Sequence, residues 1–133
     1  DEKYQRIKIR KLIHELQING LDKKKFLKTI NNLKYSNKVV DFYVKENLKK
    51  NSFFSDKKNR LILNENFFQQ PHEVVFRSLS ESIKLIGKKY YSVRGKKLDN
   101  IIEDIENNQS FKSTLGGCFI EKVNLSVIIT KEY

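Results

Sequence analysis

Cysteine and proline each occur once in this sequence, as Cys118 and Pro71, and methionine, tryptophan and alanine are absent. A single thiol excludes an internal disulfide, and with only two histidines a metal cluster lacks ligands. We therefore expect a cytoplasmic protein without a metal site, in which Cys118 is a small buried residue.

Long apolar runs are also missing. None approaches the ~20 residues that a membrane-spanning helix needs, so we expect no membrane partner. The first residues, Asp1-Glu2-Lys3, contain neither a signal peptide pattern nor an initiating methionine, which indicates a fragment of a longer protein. The 133 residues suit one domain, and no repeat or low-complexity linker divides them. We expect a single region over residues 1–133.

Acidic residues are few relative to basic ones, with 16 Asp and Glu against 27 Lys and Arg, a net charge of +11. Residues 1–60 carry 17 basic and 7 acidic groups, whereas residues 61–133 carry 10 and 9. Such an excess attracts polyanions, nucleic acid above all. However, 22 Lys, 5 Arg and 13 Asn also fit the codon bias of an AT-rich genome. RNA binding and compositional bias both remain open.

Two amphipathic helices are predicted in the basic half. The first has an apolar stripe with helical spacing and ends at Asn19-Gly20; its members are Ile9, Leu12, Ile13 and Leu16. The second extends from about residue 22 to 50, with Asp22 as its N-cap, and would be ~40 Å long. Its apolar stripe consists of Phe26, Ile30, Leu33, Asn37, Val40, Val44 and Leu48.

The opposite side of the second helix combines lysines with aromatic rings. Its members are Lys24, Lys28, Lys34, Tyr35, Lys38, Phe42, Lys45 and Lys49. This combination suits RNA, because lysines neutralise phosphates and rings stack on unpaired bases. The alternative is a helix that is covered on two sides, with both aromatic residues in the core.

The second half is predicted to contain two more helices and short strands. Residues 51–64 suit a small hairpin or an extended excursion. Pro71 suits the first turn of a helix that ends at Gly87, with the apolar face Val75, Phe76, Leu79, Ile83 and Ile86. Ser92 is the expected cap of the last helix, whose apolar face is Leu98, Ile101, Ile102 and Ile105.

Residues 118–122 and 125–129 alternate like strands and predict a closing hairpin. The fold class predicted from these patterns is mainly α. It is a helical domain with a long central amphipathic helix and a minor C-terminal β-hairpin.

Catalytic motifs are not found. His72-Glu73 is followed by Phe76 where a zinc-protease helix needs its second histidine, and His14 is 58 positions away from His72. The pair Gly116-Gly117 is followed by strand residues, not by the start of a helix, so it predicts a bend or bulge rather than a phosphate cradle. We expect no catalysis from this chain alone.

Residues 1–13 read Asp-Glu-Lys-Tyr-Gln-Arg-Ile-Lys-Ile-Arg-Lys-Leu-Ile, an aromatic residue before spaced arginines and lysines. This resembles the segment that follows the catalytic domain of the bacterial tRNA(Ile)-lysidine synthetases. Further landmarks of that family recur in order along the whole chain: Gly20-Leu21, Arg77-Ser78-Leu79, Tyr90-Tyr91 and Thr114-Leu115-Gly116-Gly117-Cys118.

The resemblance implies an enzyme that adenylates wobble cytidine 34 of tRNA(Ile) with a CAU anticodon and then adds lysine. That chemistry uses ATP and Mg²⁺ in an N-terminal PP-loop domain with a Ser-Gly-Gly-x-Asp-Ser signature. The signature does not occur here, so catalysis and its cofactors are expected upstream, outside this chain. The expected partners are tRNA(Ile) and that catalytic domain, and the oligomeric state stays open between monomer and homodimer.

By the same resemblance, the chain would grip the tRNA body and help to reject tRNA(Met), with Arg6 and Arg10 nearest to the active site. Together with the second helix, the residues expected to bind nucleic acid include Arg6, Lys8, Arg10 and Lys11. The competing hypothesis is a helical protein-interaction or scaffold module with a non-specific basic surface.

Overall fold

The computed structural model describes residues 2–20, 22–55, 59–88 and 95–132. The chain divides into two units, Asp1–Val39 and Val40–Tyr133, and the division falls within a helix. Whether the whole chain acts as one recognition region stays a prediction. In the described part of the chain, no helix has both the length and the apolar content that crossing a bilayer requires.

Both predicted helices of the basic half are present. Helix α1 (Glu2–Ile18) ends at Asn19 and Gly20, where the backbone N–H groups donate to carbonyls one turn back and Gly20 has a φ of 102°. Helix α2 (Lys23–Asn51) begins at the predicted cap, because the Asp22 carboxylate accepts from the backbone N–H of Lys24 at 2.9 Å. The predicted end of α1 and the predicted bounds of α2 are therefore confirmed to within a few residues.

The apolar stripes of these helices are covered to different degrees. In the first unit, Ile9, Leu12 and Leu16 of α1 are exposed, and Leu33 of α2 is 60 % exposed. In the second unit, Val44 of α2 is buried, since the C-terminal turns of this helix pack against the core. Within the described residues, Ile9, Leu12 and Leu16 of the α1 stripe are therefore not part of a core.

The second unit contains a five-stranded antiparallel sheet in the order β1-β2-β5-β4-β3. Its strands are β1 (Ser52–Ser55), β2 (Arg60–Leu63), β3 (Phe111–Leu115), β4 (Cys118–Val123) and β5 (Ser126–Lys131). A short 3-10 helix (Glu65–Gln69) follows β2. Helices α3 (His72–Gly87) and α4 (Gly95–Asn107) then lead to β3, so that strands flank the helices in the chain.

The core forms between α3, α4 and one face of the sheet. The residues predicted for the apolar face of α4 are all buried, and so are those of α3 except Phe76, which is partly buried against the core. The sheet contributes the alternating residues Leu61, Leu63, Cys118, Ile120, Val127 and Ile129. Burying one such side chain contributes about 1.5–3 kcal/mol, so this layer dominates the stability of the unit.

The predicted fold class, mainly α with a minor C-terminal β-hairpin, is wrong. The small hairpin expected within residues 51–64 is present as β1 and β2, but it does not stand alone, because β2 pairs with β5 and thereby joins the closing strands. Phe111–Leu115 is an additional strand. Periodicity reports local structure only, and the pairing of β2 with β5 links segments more than 60 residues apart. The predicted cap Ser92 and the Tyr90-Tyr91 element lie outside the described residues.

The glycine pair forms the two-residue turn between β3 and β4. Gly116 and Gly117 have φ values of 60° and 79°, which residues with a Cβ rarely adopt, so the predicted bend is confirmed. The turn lies against the end of α3, where a Cβ on Gly87 would stand 2.2 Å from the carbonyl oxygen of Gly116 and 3.2 Å from Cys118 Sγ. Cys118 is buried, as predicted, and donates its S–H to the carbonyl oxygen of Ile83.

Replacing Gly87 by alanine is expected to destabilise the second unit by about 1–3 kcal/mol, because backbone and not a flexible side chain occupies the space. Gly95→Ala is the control, since its Cβ would meet Phe76 at an ordinary 3.5 Å. Urea unfolding followed by circular dichroism measures both variants. Equal stability of the two would show that α3 does not approach the turn this closely.

Candidate nucleic-acid interface

The part of α2 in the first unit presents five of the predicted residues on one side. With 100° per residue, they fall within an arc of about 120° of the helix. All are exposed, and the Tyr35 ring is 63 % exposed; the members are Lys24, Lys28, Lys34, Tyr35 and Lys38. The hypothesis that Tyr35 belongs to a core is therefore not supported by the described residues.

The part of α2 in the second unit presents the other three. Phe42, Lys45 and Lys49 fall within an arc of about 60°, and all three are exposed. Val44 and Asn47, on the other side of the same turns, are buried. The Phe42 ring is 60 % exposed and meets the ring of Tyr43 edge to face, with centroids 5.5 Å apart. An exposed ring among lysines is available for stacking on a base.

The predicted lysines of α2 have no ion-pair partner within the described part of the chain. They are Lys24, Lys28, Lys34 and Lys38 in the first unit, and Lys45 and Lys49 in the second. The nearby carboxylates are engaged elsewhere. Asp41 lies 3.5 Å from Arg77, and Glu46 pairs with Lys50 at 3.1 Å. In each unit, the positive charge of these lysines is therefore not neutralised by a carboxylate and remains available to an external polyanion.

The four predicted residues of α1 are exposed but do not share one side. Arg6 and Arg10 are one turn apart and lie beside the apolar stripe of this helix. Lys8 and Lys11 lie about 150° away from that pair around the helix axis. One RNA strand cannot contact all four residues from a single direction. The four basic residues that were predicted as one binding group therefore form two pairs on different sides of α1.

A buried asparagine fixes the rotation of α2 in the second unit. Asn47 is 3 % exposed and donates to the carbonyl oxygen of Phe67 at 3.3 Å and to Ser78 Oγ at 3.2 Å. The side-chain oxygen Oδ1 of Asn47 accepts from Asn51 Nδ2 at 2.8 Å, and Asn64 Nδ2 in turn donates to Asn51 Oδ1. This network turns Lys45 and Lys49 outward. The sequence signal, a polar residue three positions after Val44, was missed.

The groove beside this segment does not offer a second anion site. It measures about 470 Å³ and lies between α2 and α3. Its arginine, Arg77, already binds two carboxylates: Nε is 2.8 Å from Glu73, and a terminal nitrogen is 3.5 Å from Asp41. The positive charge of Arg77 is therefore largely compensated.

The reactive side chains Cys118 and His72 of the second unit have different surroundings. Burial raises the pKa of the Cys118 thiol to about 11, with a smaller contribution from the Glu132 carboxylate, so the thiol stays protonated near neutral pH. His72 contacts Asp99 at 3.2 Å on the surface. No group of three or more metal-binding side chains occurs in the described ranges.

Comparison of the chain with models of protein families, with curated proteins and with solved structures found no match.

Replacing Asn47 by alanine is expected to cost about 1–3 kcal/mol of unfolding free energy, because the buried carbonyl of Phe67 and the hydroxyl of Ser78 lose a partner. The matched control is Asn100→Ala, which removes an exposed helical asparagine of the same unit and should change stability by less than about 0.7 kcal/mol. Thermal and urea unfolding measure both. A loss equal to that of the control would exclude Asn47 as the anchor.

Proposed function

We propose that this chain is the tRNA-recognition part of a tRNA(Ile)-lysidine synthetase and acts in the cytoplasm. The observation that supports this proposal most is that the predicted lysines of α2, in both units, are exposed and have no ion-pair partner among the described residues. The resemblance in residues 1–13 and 114–118 supports the family assignment. ATP, Mg²⁺ and the adenylation chemistry would belong to a PP-loop domain outside this chain.

The lysine face suits the body of a folded RNA. In each unit its cations project from a helical segment and can neutralise phosphates without a base-specific contact. Such contacts release counterions, so the logarithm of the binding constant falls with the logarithm of salt concentration by about 0.7–0.9 per phosphate contact. Tyr35 in the first unit and Phe42 in the second add exposed rings for unpaired bases, each beside the lysines of its own unit. Affinity would come from phosphates, and any preference for tRNA(Ile) from the rings and from RNA shape.

A protein-interaction module is the second candidate, and the exposed stripe of α1 favours it. Ile9 and Leu12 are 53 % and 55 % exposed. Contiguous apolar surface of this kind often marks a protein contact. In a lysidine synthetase, the upstream catalytic domain would cover the same α1 stripe. The exposed stripe therefore does not separate the two candidate functions, whereas a preference for tRNA over other polyanions does.

The test changes four lysines of α2 to glutamate: Lys24, Lys28, Lys45 and Lys49. Filter binding with tRNA(Ile) at several salt concentrations is expected to show weaker binding and a salt slope lower by up to about four. The control makes the same change of charge at exposed lysines outside this face: Lys88, Lys96, Lys97 and Lys131. This control variant should retain most of the salt slope of the unmodified chain.

Equal salt slopes in the two variants would refute the assignment of the lysine face. Parallel titrations with tRNA(Met) and heparin separate the two candidate functions. A recognition region prefers tRNA(Ile), whereas a scaffold with a non-specific basic surface binds all three polyanions alike.

A further inference from the structure

The sheet has a second face that the core does not use. Strand alternation and register place Ile120 and Ile129 toward the helices, and hence Phe119 and Ile128 on the other side. Phe53 pairs with Ile62, and Ile62 pairs with Ile128, so these three residues lie side by side on this face. Neither the core nor the partly buried residues packed against it include any of these apolar side chains.

Aromatic and basic residues occur together on this open face. Phe53 is 53 % exposed on the edge strand, and Phe119 is partly exposed on β4. Arg60 and Lys112 lie on the same face by register, and Glu121 is the one carboxylate there among the described strand residues. The remaining members within the strands are hydroxyl and aliphatic residues: Ser55, Thr114, Ser126, Thr130, Ile62, Val123 and Ile128.

The size of the face limits what it can bind. Five strands at a spacing of about 4.8 Å, each four to six residues long, give a surface of roughly 400 Å². A standard protein–protein interface buries about 800 Å² on each partner, so the face alone is too small for a second copy or another globular protein. A short extended ligand fits better. The two cations favour one with negative charge.

We propose that this open sheet face binds single-stranded RNA, with unpaired bases stacked on Phe53 and Phe119 and with Arg60 and Lys112 at the phosphates. From the register, the two rings are about 16 Å apart, so they serve separate bases rather than consecutive ones. Base stacking tolerates sequence differences because every base has a π-face. If the proposed function is correct, a tRNA supplies such bases in its loops and at its 3′ end.

The chain contains a matched pair of residues for the test. Phe53 and Phe54 are neighbours on β1 and are 53 % and 52 % exposed, and strand alternation directs them to opposite faces. Either can be replaced by alanine without opening the core, since neither belongs to it. Any difference in RNA affinity between F53A and F54A therefore shows which face of the sheet binds RNA, and does not reflect a change in the stability of the fold.

Fluorescence anisotropy with a labelled eight-nucleotide single-stranded RNA is the measurement, with a duplex of equal length in parallel. F53A is expected to weaken binding of the single strand by roughly five-fold or more, because one stacked base contributes about 1–3 kcal/mol. F54A should bind like the unmodified chain, and E121Q should bind more tightly. Equal affinities of F53A and F54A, or a preference for the duplex, would overturn the proposal.

The outcome is separable from that of the lysine face. If F53A binds the single strand normally while the α2 glutamate variant loses tRNA(Ile), the sheet proposal fails and the proposed function stands. If F53A loses the single strand while the glutamate variant keeps tRNA(Ile) binding, the sheet proposal stands and the lysine face fails.

Discussion

The pairing of β2 with β5 is the constraint on which the second unit depends. It places Leu61 beside Ile129 and Leu63 beside Val127, across more than 60 residues of chain. Without it, the unit would consist of one hairpin and a separate three-stranded sheet, and α3, which packs against β2, β4 and β5, would lose its contact with the hairpin. Closing so long a segment costs conformational entropy, which the buried layer between α3, α4 and the sheet must offset.

The buried layer also determines the candidate site. The 3-10 helix after β2 supplies the carbonyl of Phe67, and α3 supplies the hydroxyl of Ser78, for the two hydrogen bonds of Asn47. Because this asparagine is buried and bonded, the rotation of α2 in the second unit is fixed, and Lys45 and Lys49 face outward. Charged residues that are exposed on a fixed helix lose little entropy of the backbone when they bind a polyanion.

Local features could be predicted from the sequence because neighbouring residues determine them. Asp22 was recognised as a cap by its residue type and position, the faces of α3 and α4 by their spacing, and the turn at Gly116-Gly117 by the absence of a Cβ. The exposed side of α2 was predicted in the same way, since the spacing of its lysines separates them from Val44.

Non-local features could not be predicted. The strand Phe111–Leu115 alternates only weakly, and nothing in the residues around Leu61 indicates that their partners lie near Ile129. The second face of the sheet, with Phe53 and Phe119, becomes visible only once the strand order is known. The four basic residues of α1 were grouped by a sequence motif, whereas the helix places them on two sides.

The most direct test of the central claim is the reactivity of individual lysines toward an acetylating reagent, measured by mass spectrometry with and without tRNA(Ile). The account predicts that bound tRNA protects the α2 lysines, Lys24, Lys28, Lys34, Lys38, Lys45 and Lys49, several-fold more than Lys96, Lys97 and Lys131, which are also exposed. Uniform protection of all these lysines, or none, would contradict a recognition surface on α2.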